Sequence, residues 1–178
     1  MSLFTIVVAI AIAMASSAQH PTMPPGMSHE DHLQQMQKDA ALKQRGADAM
    51  GFDQDATVHH FRLSPTGGSI AVEVLRPADT ALRAGIRKHL ELIANDFAKG
   101  DFGKPVATHE EIPPGVAVMQ QRRGAITYRY EETPLGGIVL IESNDLKARS
   151  AVHAFLRYQI VEHKTDDPPD LDPFNRLQ

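Results

Sequence analysis

The residues with the most chemistry to offer are nine histidines and seven methionines, in a chain without cysteine. Thioethers favour Cu(I), and imidazoles suit copper, nickel or zinc, so mixed Met/His segments point to copper as the cofactor class. Six such residues crowd one stretch: His20, Met23, Met27, His29, His32 and Met36. On a helix, His29, His32 and Met36 would share a face at i, i+3 and i+7. A second group is His59-His60, just after Met50-Gly51-Phe52-Asp53-Gln54-Asp55. Adjacent strand residues face opposite ways, so one site cannot use both without a bulge. His59 would share the core side with Phe61, and His60 the other side with Arg62. His109 and Met119 sit in a connection free to approach another element, and either would complete a site with His59 or His60. His89 and His153, on or beside apolar helix faces, read as structural. His163 falls in the last turn of a helix, where the dipole favours a cation.

Other chemistries are excluded. The chain has no glycine-rich phosphate loop, no dinucleotide fingerprint and no Gly-x-Ser-x-Gly elbow. His29-Glu30-Asp31-His32 is one residue short of the zinc-protease spacing. Glu110-Glu111 and Glu131-Glu132 are sequence neighbours that point apart on a strand. No nucleophile, base and orienter assemble, so a non-enzymatic role leads. The net charge of -4 argues against nucleic acid as a partner.

The elements that position these residues follow a leader. Leu3 to Ala15 is apolar or small except for Thr5, and no charged side chain precedes Glu30. At about 13 residues it is short of the roughly 18 to 20 that span a bilayer, so no stable membrane anchor is expected. Ser16 and Ala18 supply a signal-peptidase pattern, which places cleavage after Ala18 and the protein in the periplasm or outside the cell. Without cysteine, no disulfide supports the fold in that compartment. Residues 1–18 thus read as a signal peptide and 19–49 as a disordered or partly helical His/Met-rich arm. Within the arm, Leu33, Met36 and Leu42 could line a short helix ending near Gly46. Residues 50–165 read as a globular domain, and 166–178, with three prolines and four aspartates, as a disordered acidic tail.

Inside the domain, Val58–Leu63 and Ser69–Leu75 alternate around Ser64-Pro65-Thr66-Gly67-Gly68, which is hairpin-turn chemistry. Asp79 can cap a helix to Lys99, with Leu82, Ile86, Leu90, Ile93 and Phe97 at helical spacing and Gly100 as its stop. The pattern then returns. Ile126–Glu131 and Ile138–Ile141 flank a Gly136-Gly137 turn, and Asn144 or Asp145 can cap a helix to Lys164. Phe61-Arg62-Leu63 matches Tyr128-Arg129-Tyr130, Gly67-Gly68 matches Gly136-Gly137, and Asp79 matches Asp145. The expected fold is therefore α+β: duplicated ββα units forming a four-stranded antiparallel sheet with two helices on one face. Helices over Phe61 and Tyr128 would leave His60, Arg62, Glu73, Thr127 and Arg129 on an open face. His60, Arg62 and Arg129 there are the candidates for an anionic ligand.

At Met50-Gly51-Phe52-Asp53-Gln54, Thr57-x-His59-His60-Phe61, Pro113-Pro114-Gly115-Val116 and Phe155-Leu156-Arg157-x-Gln159-Ile160-x-x-His163-x-Thr165, the chain resembles a group of small exported bacterial proteins. The resemblance covers Met50 to about Asp167. It implies the compartment and the domain limits and assigns no catalytic residue. Some members of that group carry the label aspartate carbamoyltransferase. Here the Ser-Thr-Arg-Thr carbamoyl-phosphate loop is absent, and an export signal contradicts cytosolic pyrimidine synthesis.

Three functions remain in order of expectation. The first is an exported binding or accessory protein using copper or another transition metal through His and Met. The second is an interaction module whose open sheet face meets a homodimer mate or a periplasmic protein. The third is an enzyme acting on an anionic substrate.

Overall fold

The computed structural model describes residues 26–171 and divides the chain into two compact units, 1–36 and 37–178. Helix α1 (His29–Met50) opens with Ser28, whose hydroxyl accepts from Asp31 N at 3.1 Å. It runs through Gly46, where Gln54 packs so closely that a Cβ would collide with its amide, and it stops at Gly51, with φ +77°. The helix expected to end near Gly46 is therefore longer. A glycine inside a helix is tolerated where something packs against its backbone. The expected signal peptide, His20 and Met23 lie outside the described residues. Among the described residues no helix is long and apolar enough to cross a membrane.

The domain is α+β. Strands β1 (Thr57–Ser64) and β2 (Gly67–Val74) form one hairpin, and β3 (Thr127–Glu132) and β4 (Gly136–Glu142) the other. All neighbours are antiparallel in the order β1-β2-β4-β3. Helix α2 (Thr80–Lys99) follows β2, and α5 (Leu146–Glu162) follows β4. Between the repeats lie α3 (Gly103–His109) and α4 (Val116–Gln121). Alternation sends Phe61, Ile70, Val72, Val139 and Ile141 to the helix side, where they meet Ile86, Leu90, Phe97, Val152, Phe155 and Leu156 in one core. Met119 is fully buried there.

The register itself carries the duplication. Gly68 faces Ile141, Ile70 faces Val139 and Val72 faces Gly137, so exchanging Gly68 with Gly137 and Val72 with Ile141 leaves the pairing unchanged. The local twofold therefore passes between Ile70 and Val139. Side chains obey it too. A Cβ on Gly68 would run into Leu156 Cδ1, and one on Gly137 would meet Leu90 Cδ1. Each helix covers the other repeat's hairpin: α2 lies mainly over β3 and β4, and α5 over β1 and β2. His153 Nε2 donates to Ser64 O at 3.0 Å, while Arg87 donates to Thr133 O at 2.8 Å and Gly136 O at 3.0 Å. Both hold a hairpin turn, as a structural histidine would.

Two details of the sequence match change. Ser64 pairs with Gly67, and Thr133 exchanges backbone hydrogen bonds with Gly136, so Pro65-Thr66 and Pro134-Leu135 are equivalent turn tips. Phe61 then superposes on Tyr130 and His59 on Tyr128, two residues away from the match of Phe61 with Tyr128. A two-residue slip keeps every side chain on its face, so alternation alone cannot detect it. Asp145 caps α5 by accepting from Ala148 N at 2.8 Å. Asp79 makes no such bond and instead accepts from Arg76 Nε at 3.1 Å.

Candidate functional site

Correct superposition of the repeats exposes where they differ. With the helix starts aligned, Leu90 matches Leu156, Ile93 matches Gln159, and Phe97 matches His163. In one half, Phe97 of α2 lies edge-on to Tyr128 of β3, ring centres 5.8 Å apart. In the other, His163 at the end of α5 lies nearly parallel to His59 of β1, centres 5.7 Å apart. One half leaves a single buried hydroxyl, Tyr128 OH, at this corner, and the other places two imidazoles there.

Helix α3, which has no counterpart in the second repeat, adds His109. Its ring stands edge-on to His163 with centres 5.3 Å apart, and its Nε2 lies 3.1 Å from Gln159 Oε1. An amide oxygen only accepts, so His109 carries its proton on Nε2 and leaves Nδ1 as an acceptor. That Nδ1, Gln159 Nε2 and His59 Nε2 are buried without a protein partner. Each unpaired buried polar atom costs about 1–3 kcal/mol, so three in one corner demand a reason. His89 reaches the same space from α2 with its ring edge-on to Phe52.

These groups separate two spaces. Inside is a cavity of about 70 Å³, walled by Phe61, Ile70, Val72, Phe97 and Phe155, with Met50, His59, His89, His109, Gln159 and His163 at its polar side. Outside is a cleft of about 500 Å³ between α1, β1 and the chain after α5. His59 and His163 line both.

Burial sets the charge state. It lowers His59 to about 4, helped by the neighbouring His60, and His163 to about 3, helped by His59 and His109. His89 is lowered to about 4 by burial, with Lys104 and His59 adding to it against Asp96. His109 is lowered by burial despite Gln159, Glu162 and Glu111, which act the other way. At neutral pH these imidazoles are therefore uncharged, each with one donor and one acceptor nitrogen. The cation expected at His163 from the helix dipole does not form, because desolvation outweighs a dipole term of about 1 kcal/mol.

The other candidates lie elsewhere. His60 turns outward, its Nδ1 3.0 Å from Asp167 Oδ1, and Asp167 Oδ2 accepts from Phe61 N at 3.0 Å. Asp167 belongs to the segment read as a disordered acidic tail, yet it is buried and caps the free edge of β1. Arg62 Nε lies 3.7 Å from the same carboxylate, and Arg129 pairs with Glu131 on the far edge strand. Two strands separate these groups, about 14 Å of sheet, so no common anion site assembles. Ala71, Ile138 and Leu140 are half-buried on that open face. His29, His32 and Met36 fall on α1 at the expected helical spacing, with Met27 just before it. Among the described residues, no three His, Asp or Glu side chains are arranged to hold a metal ion.

From sequence alone, Gln159 has no role in a site, His89 reads as structural and His163 as a cation. Carrying the Asp79–Asp145 overlay further along the two helices finds Gln159 and His163 as polar residues where the other copy has Ile93 and Phe97. No family model matches the chain, and neither a curated protein nor a solved structure does.

Proposed function

We propose that this chain is an exported binding protein that takes a small ligand at the corner formed by His59, His109, Gln159 and His163. The observation that supports it most is the broken symmetry. One half fills this corner with Phe97 against Tyr128, whose single polar atom is a buried hydroxyl, and the other half replaces that pair with neutral imidazoles and a buried amide. Unpaired donors and acceptors lower stability, and a ligand that pairs them recovers it. The test is a thermal-shift screen of the purified protein and a His59→Tyr/His163→Phe variant. A ligand at 100 times its Kd stabilises by about 2.7 kcal/mol, which should raise the melting temperature of the first protein only. Equal shifts in both, from every compound that shifts either, would sink the proposal.

Metal binding is a second reading, favoured by Met50, whose side chain lines the inner cavity beside the imidazoles. Neutral imidazole is the form that binds metal, and thioether with imidazole suits copper. Copper that raises the melting temperature acts in the domain. Copper that binds without raising it acts on the arm at His29, His32 and Met36.

A further inference from the structure

The outer cleft is unevenly charged. Three of its carboxylates are engaged: Asp39 with Lys164, Asp55 with Lys43, and Asp167 with His60. Glu162 and Asp166, which flank His163 in sequence, line the same cleft and have no cationic partner among the described residues. A pair of carboxylates alone would mean little. Here they share the cleft with His59, whose Nε2 is fully buried and unpaired by protein, and with the neutral ring of His163.

We propose that this cleft binds a small organic cation, a primary ammonium on a short carbon chain. The ammonium would sit between Glu162, Asp166 and the imidazoles of His59 and His163. The inference rests on the histidine corner being a ligand site and adds the class of ligand. Three physical points carry it. An ammonium offers three donors and no acceptor, and it meets carboxylate oxygens and imidazole lone pairs. A volume of about 500 Å³ suits an organic molecule rather than a bare ion. Leu42 and Val58 line the cleft with apolar surface against which a carbon chain can lie. An anion would face two uncompensated carboxylates, and an alcohol would leave them unpaired.

Calorimetry with n-butylammonium, 1-butanol and butyrate, paired with imidazole NMR of His59 and His163, decides it. The ammonium should bind and move both imidazole signals, while the alcohol and the carboxylate should bind at least tenfold more weakly. Glu162→Gln with Asp166→Asn should weaken ammonium binding by about tenfold or more, since each removes a charge-assisted contact. Glu131→Gln, on β3 and away from the cleft, should change nothing. If butanol or butyrate binds as tightly at the same imidazoles, the cation assignment falls and the ligand site stands. If the ammonium fails to bind, or binds the double variant equally well, the assignment falls too.

Discussion

Phe97 against Tyr128 and His163 against His59 occupy the same place in the two halves of one pseudo-symmetric domain. The first pair sets two rings edge to face and leaves one buried hydroxyl, Tyr128 OH, unpaired. The second carries lone pairs into the same depth and is kept neutral by burial. The shared features, such as the glycine turns and the leucines over them, are requirements of the fold. The differences are where other demands act on the sequence, because packing alone would be satisfied by repeating the first half.

The largest effects should come from what the halves share. A Cβ on Gly67 would collide with Ile141 O, and one on Gly136 would collide with the equivalent Val72 O. Gly67→Ala and Gly136→Ala should each cost about 3 kcal/mol or more, as a backbone clash in the sheet centre cannot relax cheaply. Urea unfolding of the two variants should give similar losses. Costs differing by several kcal/mol would break the symmetry argument.

Next comes the difference between the halves. Folded His59 and His163 have lowered pKa values, about 4 and about 3, while an unfolded histidine titrates near 6.5. The unfolded chain therefore takes up protons first, and stability falls as pH drops below about 6.5 toward 4. Each buried imidazole contributes up to about 1.4 kcal/mol per pH unit to that slope. His89 and His109 act in the same direction. Grafting the other half's pair, His59→Tyr with His163→Phe, should flatten this acid slope and change stability at pH 7.5 by less than about 1 kcal/mol, because one unpaired buried polar atom replaces another. Urea midpoints at pH 7.5 and pH 5 measure both, and an unchanged slope would mean that these rings are protonated in the folded protein.

The smallest effect concerns the helix starts. The Asp145 carboxylate accepts a backbone N–H and pairs with Arg122 at 2.6 Å, whereas the Asp79 carboxylate accepts from the Arg76 side chain and makes no cap bond. Asp145→Ala should lower the melting temperature by a few degrees, and Asp79→Ala should leave it nearly unchanged. Equal losses would show that both aspartates cap in solution.

Alternation in Val58–Leu63, the glycine pairs at the turns and the spacing of Ile86, Leu90, Val152 and Leu156 determined the sheet, the helices and their common face. These are local signals, because strand and helix periods are written in neighbouring residues. The sequence also separated His59 from His60, since adjacent strand residues must face opposite ways. It left open which repeat residue matches which, because a two-residue slip preserves alternation, and only the hairpin register set His59 on Tyr128. It could not place His109, which reaches Gln159 across fifty residues, or Asp167, which reaches back to Phe61 N. Nor could it assign His163 its charge. A helix end by itself favours a cation, and only the tertiary structure, by burying that ring against His59 and His109, made desolvation the larger force.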